Sequence, residues 1–239
     1  MLRGNRDGFR FGSQFGDPLP AQFVDGIAPL EPEQNTTFEL GFKGVLSNRL
    51  FVDVSGYRSW YKNFGSTAPV GDLASGIVTL DANGEPRSGE LTLATVNYGE
   101  LSVTGLDLGA NAYVTDRIIV RGNTSLIDAG KLKDARGQQQ PFNTPGVIVN
   151  LGVSANDVAY PGTSVDLSTR YVAEHDFREA QFGGTVPSYT VLDLGLGYEA
   201  SYGIHYRVSV QNLLGNHHRE FLTGPRIGRL SVFEIQYAL

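Results

Sequence analysis

Apolar and polar side chains alternate along the last residues of the chain: Phe233, Ile235, Tyr237 and Leu239 against Glu234, Gln236 and Ala238. Successive side chains leave an extended strand in opposite directions, so a period of two marks a strand with one greasy and one wet face. The same pattern sets Ile204, Tyr206, Val208 and Val210 against His205, Arg207, Ser209 and Gln211. Upstream, Leu192, Leu194, Leu196 and Tyr198 alternate with Asp193, Gly195, Gly197 and Glu199, and Val165, Leu167, Thr169 and Tyr171 with Asp166, Ser168 and Arg170. Val147, Val149, Leu151 and Val153 oppose Asn150, Gly152 and Ser154; Ile118, Val120, Gly122, Thr124 and Leu126 oppose Ile119, Arg121, Asn123 and Ser125. Shorter copies lie at 106–112, 52–55 and 38–43, which makes nine predicted strands.

The connections alternate as well. Short turns at 47–49, 115–116, 156–162 and 201–203 carry Asn, Asp, Gly, Ser and Pro, the residues of tight reversals. Between them lie long polar connections at about 65–100, 129–145, 178–187 and 215–228. Loops this long are uncommon in compact soluble domains. Short periplasmic turns alternating with long extracellular loops are the plan of an outer-membrane barrel. With the C-terminus periplasmic, every long connection emerges outside the cell. A soluble all-β sandwich would alternate in the same way but bury its apolar face. One-sided long loops, and polar faces rich in glycine and mixed charge, favour a barrel wall whose polar side lines a lumen. On that reading Arg121, Asp166, Arg170, Asp193, His205, Arg207, Gln211 and Glu234 face the lumen.

Composition adds exclusions. A mean hydropathy of -0.16 hides transmembrane strands, because a strand of about 10 residues crosses a bilayer with only alternate positions apolar. Thirty glycines, eleven tyrosines and thirteen phenylalanines against one methionine suit a sheet-rich, turn-rich protein. A net charge of -6 without any block of Lys and Arg excludes a nucleic-acid footprint. The first seven residues carry basic side chains with no apolar run behind them, so they are not a secretory signal. The chain is therefore expected to be soluble or to have its true beginning elsewhere.

Candidate chemistry is sparse. His217 and His218 are adjacent and point apart on an extended chain, which favours a solvated loop over a metal site. His205 beside Arg207 reads as a polar wall residue, and His175–Asp176 has no Gly-x-Ser-x-Gly partner motif. Gly183–Gly184 lacks the strand-then-helix setting of a phosphate loop. No catalytic residue, metal or cofactor is expected. Trp60, Tyr61, Tyr171, Phe177 and Phe221 near upper strand ends, and Tyr113, Tyr198, Tyr202, Tyr206 and Tyr237 near lower ends, suit two aromatic girdles.

Specific motifs then point to a family. Leu30-Glu31-Pro32-Glu33 followed by Thr37-Phe38-Glu39-Leu40-Gly41-Phe42-Lys43-Gly44 resembles the segment that opens a strand in TonB-dependent outer-membrane receptors, with Glu31 in place of Lys. Val103-Thr104-Gly105-Leu106-Asp107, Asn143-Thr144-Pro145, and Val210-Gln211-Asn212-Leu213-Leu214 with Gly224-Pro225-Arg226 resemble three further family stretches, in family order. Phe233, Ile235, Tyr237 and Leu239 resemble the C-terminal signal read by the barrel-assembly machinery, with Leu239 where Phe is usual. The resemblance implies an antiparallel transmembrane β-barrel of about 22 strands in the outer membrane of a Gram-negative bacterium. It implies an N-terminal plug that contacts TonB, lipid around the barrel, and energised uptake of a scarce small solute such as a siderophore–iron complex, cobalamin or an oligosaccharide. Nine strands cannot close such a barrel, so the expectation is a C-terminal portion over 36–239, preceded by an extracellular loop remnant over 1–35 and lacking plug and signal peptide. A passive outer-membrane channel or structural barrel is the alternative, and a soluble all-β binding domain the second.

Overall fold

The computed structural model describes residues 9–11, 24–25, 31–70, 78–79, 91–98, 100–130, 132–133, 139–179 and 182–237. Its main feature is a nine-stranded antiparallel sheet: β1 (Gln34–Leu46), β2 (Leu50–Lys62), β3 (Leu101–Tyr113), β4 (Ile118–Ala129), β5 (Val147–Asn156), β6 (Thr163–Val172), β7 (Tyr189–Ala200), β8 (Ile204–Gln211) and β9 (Leu230–Tyr237). Each strand pairs with its neighbours in sequence, so the sheet is an up-and-down meander with β1 and β9 as its two edges. All nine expected strands are present in the expected order.

The turns that join strands at the lower edge are built by local hydrogen bonding. The Thr115 hydroxyl accepts from the N–H groups of Arg117 and Ile118 at 3.2 and 3.0 Å, and Asp157 Oδ1 accepts from Gly162 N–H at 2.6 Å. Gly162 has φ +84°, and a Cβ there would lie 2.6 Å from the Glu199 carbonyl oxygen, so both the backbone and the space demand glycine. Ser47, Asp157 and Tyr202 also turn with positive φ. All four long connections leave from the opposite, upper edge.

Two details differ from the sequence reading. The strands with the weakest alternation, β1, β2 and β3, are the longest at 13 residues each. Their apolar rhythm is broken by Gly44 and Gly56, and by Thr36, Arg58, Ser102 and Thr104 near the upper ends, yet the ladder runs through these positions. The long connections also contain structure of their own. Beyond Asn63 the chain continues as Phe64–Val70, paired with Leu91–Tyr98, and Phe9–Phe11 adds to the same small sheet. His175–Glu179 pairs with Phe182–Val186 in a second hairpin, so the segment 178–187 is a strand extension as well as a polar loop. Of the expected loop remnant over 1–35, residues 9–11, 24–25 and 31–35 are described, and Gln34 and Asn35 already belong to β1; the rest lies outside the described residues.

Directly paired residues of neighbouring strands project from the same face of a sheet. The register therefore assigns every strand residue a side. One row runs Phe233, Val208, Leu196, Val165, Ala155, Ile118; another runs Phe42, Val54, Leu108, Thr124, Val149, Tyr171. This apolar face is open: Leu40 is 74% exposed, Phe42 55%, Leu151 54% and Phe233 62%. A soluble sandwich would have buried these side chains. The buried apolar residues Leu101, Val103, Val172, Tyr189 and Val191 instead sit at the upper end of the polar face.

Candidate functional site

The strand register sets Arg121, Asp166, Arg170, Asp193, His205, Arg207, Gln211 and Glu234 on one face of the sheet. Arg121 lies in a row with Gly152, Ser168 and Asp193; Arg170 pairs with Asn150 and Val191; His205, Arg207, Gln211 and Glu234 occupy the same side of β8 and β9. At the centre of the lower half is a network that spans five strands. Arg121 Nη2 donates to Ser154 Oγ at 2.5 Å, and Ser154 Oγ donates to Asp166 Oδ1 at 2.6 Å. Asp166 Oδ1 is 3.9 Å from Arg121 Nη2, and Asp166 Oδ2 is 3.9 Å from Arg207 Nη2. Arg207 Nε also donates to Ser209 Oγ at 3.3 Å. Two guanidiniums thus share one carboxylate, and all three groups are about half-exposed, so each ion pair stabilises by less than roughly 1 kcal/mol.

His205, Arg207 and Glu234 also border a recess of about 540 Å³ with Asp157, Glu199 and Gln236. A second recess of about 520 Å³ lies over β1 to β4, where Lys43 Nζ meets Asp53 Oδ2 at 2.9 Å and Ser125 Oγ donates to Asp107 Oδ1 at 2.6 Å. The polar face is therefore a surface of mixed, locally compensated charge with open concavities. Among the described residues no three His, Cys, Asp or Glu side chains converge on one point.

The upper end of this face is covered by the protein's own loops. Phe142, from the segment between β4 and β5, packs on Leu101 and Val103 with Tyr57, Tyr61 and Ile127. The segment between β8 and β9 folds back onto β6 and β7. Asn212 N–H donates to Asp193 Oδ1 at 2.7 Å, and the Asn212 side chain clasps Asn216 by accepting its N–H at 2.9 Å and donating to its carbonyl at 2.8 Å. Asn216 Nδ2 then donates to the Thr190 carbonyl at 3.1 Å. The His218 ring stacks on Tyr189 with centroids 4.2 Å apart, and Arg170, over the same tyrosine ring, pairs with Glu220 at 2.5 Å.

This corrects one expectation: His217 is exposed, but His218 is only 8% exposed and is not a solvated loop residue. Sequence reasoning found Arg170 and Asp193 but not the loop residues that meet them, Asn212, Asn216, His218 and Glu220. The signal available was Asn212 itself, whose left-handed backbone (φ 52°) suits Asn and starts the turn.

On the apolar face, Trp60 and Tyr171 stand near the upper ends and Tyr198, Tyr206 and Tyr237 near the lower ends. Tyr61 and Tyr113 project from the polar face, Phe177 lies in the second hairpin, and Phe221 and Tyr202 lie in connections. Phe233, Ile235 and Tyr237 of the expected C-terminal signal are 62%, 60% and 60% exposed on the edge strand β9; Leu239 lies outside the described residues.

Comparison with known proteins agrees with this architecture. The family model described as TonB dependent receptor-like, beta-barrel, matches residues 4–213, and the chain belongs to that family. Solved structures share the fold. The ferric-catecholate import receptor Fiu from Escherichia coli K12 is 20% identical with a TM-score of 0.59, over 87% of this chain and 27% of that one. The siderophore receptor PiuA from Acinetobacter baumannii is 21% identical with a TM-score of 0.62, over 88% and 29%. The copper transporter OprC is 17% identical with a TM-score of 0.62, over 89% and 32%. The chain thus spans under a third of the length of these proteins. No curated protein matches it.

Proposed function

We propose that this chain is the C-terminal wall of an outer-membrane receptor in a Gram-negative bacterium, with its apolar face in lipid and its polar face lining a lumen. The observation that carries the reading is the separation of the two faces. Large apolar side chains stand exposed on one, while compensated charge and inward-folded loops occupy the other. From Thr163, paired with Tyr198 of the lower girdle, to Tyr171 of the upper one is eight steps along β6. At about 3.3 Å per residue and a tilt of about 40°, that is roughly 20 Å, close to the height of a barrel's apolar band.

The receptor would take up a scarce solute of the siderophore–iron, cobalamin or oligosaccharide type, driven by TonB acting through a plug domain. A ferric chelate is the favoured member of that set, because the proteins of like fold include the ferric-catecholate import receptor and the ferric yersiniabactin uptake receptor FyuA from Yersinia pestis. The exposed apolar side chains of β9 would be read by the barrel-assembly machinery. The test is uptake of a radiolabelled ferric siderophore by cells carrying the whole gene in its native context, with and without functional TonB. Uptake that requires TonB supports the reading. Equal passage of solutes in both strains would identify a passive channel and overturn it.

A further inference from the structure

Charged side chains on the apolar face are confined to one corner. Along the nine strands they are Arg58 and Lys62 of β2 and Asp128 of β4, all near the upper ends. Arg58 pairs across the sheet with Phe38 and Thr104, and Phe38 is 67% exposed. Its guanidinium lies over the Trp60 ring at 5.3 Å from the centroid. Among the described residues no carboxylate pairs with it. Lys62, one outward position above Trp60, meets Glu100 at 3.4 Å, but both groups are largely exposed at 59% and 74%, so that contact is weak and exchangeable. Asp128 shares the row of Arg58 but stands two strands away, roughly 10 Å.

A cation on a lipid-facing wall is costly near the bilayer centre and nearly free of cost at the interface. Arg58 is eight residues above Leu50 at the foot of β2, and Trp60 marks the headgroup level at which indole rings settle. At that depth the guanidinium can extend upward along the indole face into the headgroup layer. Its fork of N–H donors matches the oxygens of a phosphate, and an anionic headgroup, whose phosphate is not neutralised by its own ammonium, attracts it more than a zwitterionic one.

Resting on the membrane reading above, we propose that Arg58, Trp60 and Lys62 form an outward-facing site for the phosphate of an anionic lipid headgroup in the outer leaflet. Arg58 supplies the paired donors, Trp60 holds the guanidinium against its ring and seats the glycerol region, and Lys62 adds a second positive charge by exchanging Glu100 for phosphate. The solute-binding side of the wall takes no part.

The chain has a single tryptophan, so Trp60 fluorescence reports on this corner alone. The full chain is reconstituted in phosphatidylcholine vesicles doped with either brominated phosphatidylcholine or brominated phosphatidylglycerol of the same acyl chains, and Trp60 quenching is measured. The site predicts that the anionic lipid quenches with an apparent affinity at least about fivefold higher, fivefold being the preference expected of each basic residue at a membrane surface. Arg58→Gln should lower the ratio by about fivefold, leaving what Lys62 alone sustains, while Arg58→Lys should keep most of it. Equal quenching by the two lipids in the unaltered chain would overturn the site while leaving the membrane reading intact. A chain that neither lipid quenches would overturn both.

Discussion

Arg207 on β8 reaches across Gly195 of β7 to place Nη2 3.9 Å from Asp166 Oδ2 on β6, two strands away. The glycine makes this possible. A Cβ at position 195 would sit 3.4 Å from Asp166 Cβ and 3.6 Å from Arg207 Nη2, and anything larger than alanine would stand in the guanidinium's path. Gly195→Val should therefore destabilise the wall by about 1 kcal/mol, and Asp166→Asn by a similar amount. The double variant should cost less than the sum, because both changes break the same contact. Urea unfolding in detergent micelles measures this, and strictly additive costs would show that the reach across Gly195 has no energetic role.

Val208 and Ser209 are neighbours on opposite faces. Val208 pairs with Leu196 and Phe233, Ser209 with Gly195 and Val232. Val208→Arg should cost about 2 to 4 kcal/mol in a bilayer if its face meets lipid near mid-depth, and Ser209→Arg much less. The heat-modifiable gel shift of folded barrels compares the two. Equal loss of folded protein would reject the assignment of faces.

Asn212 does two things at once: its backbone takes a left-handed turn at φ 52° and its side chain clasps Asn216. Asn212→Gly should lose only the clasp, roughly 1 kcal/mol, while Asn212→Ala adds the backbone penalty and should cost about 2 to 3 kcal/mol. Both should expose the 212–229 segment to limited proteolysis, alanine more than glycine. A loop cut no faster than in the unaltered protein would mean that the clasp does not hold it against β7.

Asn97 grips the chain just before β1. Its Oδ1 accepts Glu31 N–H at 2.7 Å, and its Nδ2 donates to the carbonyls of Glu31 at 3.0 Å and Asn63 at 2.6 Å. Asn63 Nδ2 in turn donates to the Glu31 carboxylate at 2.9 Å. One amide thus ties together the start of β1, the end of β2 and the strand leading into β3. Asn97→Ala should raise amide exchange at Glu31 by about tenfold, as expected for losing the one hydrogen bond its N–H makes to Asn97, and leave β5 to β8 unchanged. Unaltered exchange at Glu31 would show the segment to be held by other means.

The wall itself was legible because its code is local. Val208 and Ser209, or Leu196 and Gly197, declare opposite faces by residue type alone, and pairing only confirms which rows they join. The eight polar-face residues followed from the same parity. The strand ends of β1 to β3 were harder, since Thr36, Arg58 and Ser102 sit on the apolar face where the rhythm predicts an apolar residue. The loop contacts were not legible at all. Nothing in the spacing of Asp193, Asn212 and Glu220 says that a segment after β8 returns to β6 and β7, because that return is fixed by long-range hydrogen bonds and the His218–Tyr189 stack. In the same way, the role of Gly195 appears only once Arg207 is seen crossing it.

The central claim is that the alternating faces of this sheet meet lipid and water. The chain contains no cysteine, so single cysteines placed from 204 to 211 can carry a polarity-sensitive fluorophore without a background label. In bilayers, the account predicts blue-shifted emission quenched by acyl-chain nitroxides at 204, 206, 208 and 210, and water-like emission at 205, 207, 209 and 211. Uniform emission along β8, or quenching at the odd-numbered positions, would contradict it.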